Sequence, residues 1–289
     1  MMSFSLQFVL VLIGTFMIAL VLTPLVRLFS FKIDAVDYPN ARRINTKPMP
    51  SAGGLSIVIA FSIATLVFIP MLTSTTAPIK SYLSYTLPVV GAGWIIALTG
   101  LIDDVKELSA KKKMIGILLA ASLVWFLTDF RLNDFKIPFG GPLLHFEPWL
   151  SYLLTVIWIV AITNAVNLID GLDGLVSGVS IISLVTMGIV SYFFLPVPNL
   201  FLTMTIFVLV ASIAGFFPFN YHPAILYLGD TGALFIGFMI SVLSLQGLKN
   251  ATAVAVVTPM IILGVPITDT FLAIIRRTLS GQKFYKPDR

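Results

Sequence analysis

The sequence predicts an all-α fold, a polytopic membrane bundle of about nine transmembrane helices, and three observations carry that reading. Of 289 residues, 58% are hydrophobic and only 11% are charged, with a mean hydropathy of +1.01, whereas soluble domains carry roughly a quarter charged residues. The apolar residues fall into nine long runs, each close to the roughly 20 residues that a spanning helix needs. Strand-like alternation is missing, which argues against a transmembrane barrel. Together these features exclude a soluble enzyme, a disordered tail and a single-anchor receptor. The absence of cysteine excludes disulfides, thiolate metal sites and cysteine nucleophiles.

The spans are expected near 4–29, 52–72, 82–102, 112–128, 149–168, 174–194, 199–217, 231–247 and 251–275. The first run has no basic start and is too long for a signal-peptide core. Linkers are short and no internal repeat is visible, so residues 1–289 read as one transmembrane domain. Lysine and arginine set the orientation. One side receives Arg27, Lys32, Arg42, Arg43 and Lys47, then Lys106 and Lys111 to Lys113, then Arg276, Arg277, Lys283, Lys286 and Arg289, which is 14 of the 18 basic residues. That side is expected in the cytoplasm, with the N-terminus outside and the C-terminus inside. The net charge of +5 therefore reports topology and gives no reason to expect nucleic acid.

The acids share the basic side. Asp34, Asp37, Asp103, Asp104, Glu107, Asp170, Asp173, Asp230, Asp269 and Asp288 make 10 of the 13, although acids contribute little to the positive-inside rule. Carboxylates at or just inside helix ends are costly unless compensated, and their sidedness points to a polar site facing the cytoplasm.

Four segments on that side carry the chemistry. Between spans one and two, residues 37–54 read Asp-Tyr-Pro-Asn-Ala-Arg-Arg-Ile-Asn-Thr-Lys-Pro-Met-Pro-Ser-Ala-Gly-Gly. Its prolines stop helix formation, and Gly53-Gly54 permit close backbone approach as span two begins. Arg42, Arg43 and Lys47 suit phosphates, arginine by its planar fork and lysine as a point charge, or they simply set orientation. Asp103 and Asp104 end span three, and adjacent carboxylates stand about 100° apart on a helix, so one can face a site while the other supports it. Lys111, Lys112 and Lys113 then open span four, the first two reading best as juxtamembrane charge.

The third segment is Asn164-Ala-Val-Asn-Leu-Ile-Asp-Gly-Leu-Asp-Gly-Leu175 at the end of span five. Asn164, Asn167, Asp170 and Asp173 recur every three residues, and Gly171 and Gly174 predict a break that bends this row around a cavity. Two amides and two carboxylates suit a hard cation and a polar ligand. The fourth, Tyr221-His-Pro-Ala-Ile-Leu-Tyr-Leu-Gly-Asp-Thr-Gly232, leads into span eight with Asp230 where an N-cap belongs. Free N–H groups at such a start attract anions, yet Asp230 repels a diphosphate, and a bridging Mg²⁺ resolves the conflict. His222 and His145 read as loop residues, and Asp269 as a buried supporting group.

In order and spacing these segments resemble the polyprenyl-phosphate N-acetylhexosamine-1-phosphate transferases of glycosyl transferase family 4. The resemblance runs from Asp37 to Arg289 and is most specific in the Asn164–Leu175 run, the Asp103-Asp104 pair and Leu228-Gly-Asp-Thr-Gly232. It implies transfer of a sugar 1-phosphate from a UDP-sugar to a polyprenyl phosphate with release of UMP, dependent on Mg²⁺ with Mn²⁺ as a substitute. It implies Asp230 and Asn167 as metal ligands, Lys113 at the phosphates, Asp173 near the uridine, and Asp103, Asp104 and Asp170 in the catalytic cluster, with Asn164, Arg43 and Lys47 assisting substrate binding. The ending Phe284-Tyr-Lys-Pro-Asp-Arg289 after Arg276-Arg277 resembles the undecaprenyl-phosphate N-acetylglucosamine branch that starts wall teichoic acid and other surface glycans. The implied partners are UDP-N-acetylglucosamine, undecaprenyl phosphate and membrane lipid in a bacterial plasma membrane, with a homodimer allowed. The family carries His and Arg where this chain has Asn45 and Ser51, positions read as tuning the site. Family members continue into a His-rich cytoplasmic segment, so the sequence reads as truncated. Two alternatives stand beside this reading. One is the phospho-N-acetylmuramoyl-pentapeptide transferase of peptidoglycan synthesis. The other is a cation- or proton-coupled transporter, which would place its carboxylates nearer the bilayer midplane.

Overall fold

The computed structural model describes residues 4–39, 47–73, 79–136, 142–193 and 200–248. In chain order these form α1 (Phe4–Lys32), a minimal hairpin β1 (Val36–Asp37) and β2 (Met49–Pro50), then α2 (Gly54–Ile63), a π-helical stretch (Ala64–Phe68) and α3 (Ile69–Thr73). There follow α4 (Ile79–Lys106), α5 (Ala110–Leu127), a second hairpin β3 (Asp134–Lys136) and β4 (Leu143–His145), α6 (Pro148–Leu168), α7 (Leu175–Phe193), α8 (Leu200–Asn220) and α9 (Gly229–Leu248).

The chain is mostly helical, and six helical segments are long and apolar enough to cross a membrane: Ser5–Lys32, Gly54–Met71, Tyr82–Lys106, Pro148–Leu168, Leu175–Phe193 and Leu200–Asn220. The expected count of nine is not reached among the described residues. The expected ninth span, 251–275, lies outside them, as does Asp269. The run at 112–128 does form a helix, but α5 takes in three lysines in its first turn. The run at 231–247 forms the shorter apolar helix Gly229–Leu245.

α9 is the centre of the bundle. It is apolar all round, and every described side chain from Thr231 to Leu245 is buried, as a helix without a polar stripe requires. It packs between α4 and α6, with α2 against a further face. Trp158 on α6 bolts to it, donating from Nε1 to the Ser244 hydroxyl at 3.1 Å. α8 lies between α1 and α7. On the periphery, α1 exposes Val21, Leu25 and Leu28, an apolar surface suited to lipid.

Two features were not expected from hydropathy. Span two is interrupted by the π-helical stretch, where the widened turn frees carbonyls and the buried Tyr82 hydroxyl donates to the Thr65 carbonyl at 3.1 Å. The two hairpins also appear, with Asp37 paired to Met49 and Phe135 to Leu144. Ladders of two or three residues are too short to leave an alternation in the sequence.

One end of the bundle gathers the C-termini of α1, α4, α6 and α8 with the N-termini of α2, α5, α7 and α9. Asn220, the last residue of α8, ties this end together. Its Oδ1 accepts from the Ser177 hydroxyl of α7 at 2.9 Å, and its Nδ2 donates to the Leu226 carbonyl at 3.3 Å. Asn220→Leu leaves both partners unpaired, so thermal unfolding in detergent should show a loss of about 1–3 kcal/mol. An unchanged midpoint would remove Asn220 as a tie.

Candidate active site

The segments singled out in the sequence converge at that end, on the start of α9. Segment 50–54 approaches first through its backbone. The Gly53 and Gly54 amides donate to the Tyr227 and Leu228 carbonyls at 3.0 and 2.9 Å, and the Tyr227 amide donates to the Pro50 carbonyl at 2.9 Å. A Cβ on Gly54 would lie 2.1 Å from the Gly232 Cα, so the close approach expected of Gly53-Gly54 is present. Gly229 takes φ +71° beside the Ser51 carbonyl, a left-handed conformation that glycine adopts without penalty.

Asp103 and Asp104 end α4 and divide as their spacing on a helix predicts. Asp103 turns to α5, where its Oδ2 lies 2.7 Å from Lys113 Nζ, and its Oδ1 accepts from the Leu108 amide at 2.5 Å. Asp104 turns to α9. Its Oδ1 accepts from the Asp230 amide at 2.8 Å, and its Oδ2 accepts from the Thr231 amide at 3.1 Å and the Thr231 hydroxyl at 2.6 Å.

This corrects one expectation. Asp230 is not the N-cap: α9 begins at Gly229 and Asp230 sits within its first turn. The cap is Asp104, contributed by a helix end 126 residues earlier. The amides of Asp230 and Thr231 are therefore already paired with a carboxylate, and this helix start does not offer them to an external anion.

With its backbone held by Asp104, the Asp230 side chain is free to face the cluster. Lys113 Nζ lies 2.6 Å from its Oδ2, and Asn167, at the end of α6, donates from Nδ2 to its Oδ1. One ammonium thus bridges Asp103 and Asp230, compensating like charges whose burial would otherwise be costly. Asp170 follows in the turn between α6 and α7, where the expected break occurs. Burial pushes the Asp170 carboxyl up to about 7, and the charge of Asp230 adds to the shift.

The other expected site residues stand further from this centre. Asn164 is half-buried and its amide nitrogen donates to the Val160 carbonyl one turn back in α6. Asp173 Oδ2 accepts from the Ala224 amide at 3.0 Å and lies 3.0 Å from His222 Nδ1, tying the α6–α7 turn to the loop before α9. Lys47 is exposed just before β2, as are Lys111 and Lys112 at the start of α5. Arg43 lies outside the described residues. Two participants were missed. Thr231 was passed over as part of a turn, although a hydroxyl beside the first acid of a helix is a signal. His222 is a loop residue as expected, but its pairing with Asp173 spans 49 residues and leaves no local trace.

The donor set is suited to a hard cation. Asp103, Asp170, Asp230 and Asn167 offer oxygen, and the Lys113 ammonium already marks a point where positive charge is stabilised. Among the described residues no three His, Cys, Asp or Glu side chains surround one ion-sized point, so this chain would supply one or two ligands. Mg²⁺ is commonly held that way, with substrate phosphates and water completing its shell.

The family model for glycosyl transferase family 4 matches residues 86–248, a range that contains Asp103, Asp104, Lys113, Asn167, Asp170, Asp173 and Asp230. The chain is 41% identical over 285 residues to a protein of Bacillus subtilis (strain 168) named as a probable undecaprenyl-phosphate N-acetylglucosaminyl 1-phosphate transferase, covering 98% of this chain and 75% of that one. It is 32% identical to the decaprenyl-phosphate N-acetylglucosaminephosphotransferase of Mycolicibacterium smegmatis, covering 91% and 69%. A phospho-N-acetylmuramoyl-pentapeptide-transferase of Staphylococcus saprophyticus is 33% identical over a shorter stretch, 82% of this chain and 74% of that one.

The position of Asp170 sets a pH dependence. Its carboxyl keeps a proton to about pH 7 in the folded protein but releases it near 3.8 when exposed. The folded state thus binds the extra proton between those values, and stability falls as pH rises from about 4 to about 7, then levels. In detergent with EDTA, Asp170→Asn should reduce that slope by at most the one-proton value of about 1.4 kcal/mol per pH unit. A slope unchanged in Asp170→Asn would assign it to other groups.

Proposed function

This chain belongs to glycosyl transferase family 4, and from that premise we propose that it transfers N-acetylglucosamine 1-phosphate from UDP-N-acetylglucosamine to undecaprenyl phosphate, releasing UMP. The reaction is the first membrane step in building wall teichoic acid or another surface glycan. The observation that carries the reading is the Asp103–Lys113–Asp230–Asn167 cluster. It unites three of the four sequence segments within the family match, at one end of an apolar bundle where a lipid phosphate and a water-soluble nucleotide can meet.

The chemistry asks for such a cluster. The acceptor phosphate and the donor diphosphate repel each other, so catalysis is mainly alignment for in-line attack and neutralisation of charge. An Mg²⁺ ion supplies that neutralisation when bound, with Asp230 and Asn167 as its ligands from this chain. Lys113 reaches the phosphates from the position where it bridges the two aspartates. Of the adjacent pair, Asp103, whose Oδ2 faces Lys113 in the cluster, is the carboxylate assigned in this reading to take any proton left on the acceptor. An acceptor oxygen forms the new bond to the β-phosphorus as the bond to UMP breaks. Asp173 holds the loop beside which the nucleoside is expected, and Arg43 and Lys47 belong to the basic segment that brings further positive charge to the phosphates.

The basic residues give the orientation. Arg27, Lys32, Lys106 and Lys111 to Lys113 cluster at the same end as the aspartates, and the positive-inside rule supports a cytoplasmic site with the N-terminus outside. UDP-sugars are cytoplasmic substrates, which agrees.

UMP release from UDP-N-acetylglucosamine in detergent should require both undecaprenyl phosphate and Mg²⁺, and Asp230→Asn should reduce it at least about 10³-fold, the order expected for loss of a principal electrostatic group. UDP-N-acetylmuramoyl-pentapeptide serves as the competing donor. UMP from that donor alone would move the chain to the peptidoglycan branch. No UMP from either donor with folded protein would overturn the transferase reading.

A further inference from the structure

We infer that Asp104 is a positioning residue that fixes the metal-facing carboxylate of Asp230, and that it takes no part in proton transfer. The inference rests on the transferase reading for its kinetic consequence but on geometry for its substance. Both oxygens of Asp104 are engaged, by the Asp230 amide at 2.8 Å, the Thr231 amide at 3.1 Å and the Thr231 hydroxyl at 2.6 Å. A carboxylate offers about four lone-pair positions, and three here hold the first turn of α9. Its oxygens are thus committed to backbone and hydroxyl donors of α9, whereas Asp103 directs Oδ2 at the Lys113 ammonium in the cluster. Helix starts carry unpaired N–H groups that attract negative charge, so this carboxylate is bound where it stands by the helix it orients.

The remaining contacts make the arrangement directional. The start of α9 is also packed closely by backbone, Gly54 on Gly232, the Ser51 carbonyl on Gly229 and Gly100 of α4 on the 230–231 peptide group. Those contacts are steric and give the amides of 230 and 231 no acceptor. Asp104 fixes the peptide groups of 230 and 231 individually, and so sets the direction in which the Asp230 side chain leaves the backbone. Loss of Asp104 frees that direction while leaving Asp103, Lys113 and Asn167 in place. The expected deficit is therefore in holding the cation, with the chemical step largely intact once the cation is bound.

The test compares Asp104→Asn, Asp103→Asn and Thr231→Val in the full chain, reading UMP formation across a Mg²⁺ titration and hydrogen exchange at the amides of 230 and 231 without metal. Asp104→Asn should raise the half-saturating Mg²⁺ concentration at least about tenfold, lower kcat at saturating Mg²⁺ less than about tenfold, and speed exchange at those two amides at least about tenfold. Thr231→Val, which removes a single donor outside the cluster, should move metal affinity and exchange the same way by a smaller factor and supplies the answer if Asp104→Asn does not fold. Asp103→Asn should instead lose kcat at every metal concentration with unchanged exchange at 230 and 231. A kcat loss of about 10³-fold in Asp104→Asn at saturating Mg²⁺, with exchange undisturbed, overturns the inference. If the wild-type protein makes no UMP, the transferase reading fails, and exchange at 230 and 231 still decides whether Asp104 is the cap.

Discussion

Asp103, Asp104, Asp170 and Asp230 gather at one end of an apolar bundle, and compensating their charge is the constraint on which the rest of the structure depends. Buried carboxylates persist only when paired and hydrogen-bonded, and these four are accommodated in three ways. Asp103 and Asp230 share Lys113. Asp104 is absorbed by the start of α9. Asp170 remains near neutrality through its raised affinity for a proton. The same arrangement separates environments: one carboxylate organises backbone, two face the Lys113 ammonium, and one titrates near the pH of the cell.

The fold serves this end by bringing a wholly apolar helix to the centre and polar groups to its tip. α9 has no face that could tolerate water, so it is surrounded, and its start is carried into the middle of four other helix ends. Glycine at 54 and 232 lets α2 approach it to backbone contact. In a membrane, where helices gain little from hiding apolar surface from one another, such close packing and interhelical hydrogen bonds supply much of the cohesion. Trp158 to Ser244 and Ser177 to Asn220 are of this kind.

Much of this was legible in the sequence because it depends on local pattern. Apolar runs located the helices, and Gly171 and Gly174 located the turn that breaks α6 from α7. The spacing of Asp103 and Asp104 foretold that they would divide, but which one would face the cluster depends on where α9 starts, and no local signal gives that. Asp230 looked like a cap for the same reason: the actual cap lies 126 residues away, a relation only the folded chain defines. The partner of Gly54 and the bond from Tyr82 to the widened turn of span two were hidden likewise, as long-range contacts between residues unremarkable in their own neighbourhoods.

Lys113 has a consequence for how the protein is made. Small metal-organised domains commonly remain unfolded until their ion arrives, because nothing else offsets the charge of the ligands. Here the chain carries a counter-charge of its own on α5, only ten positions after Asp103, so the acid at the tip of α9 meets an ammonium synthesised before it. Part of the counter-charge that this end of the bundle needs is therefore covalently present in the chain before α9 is made.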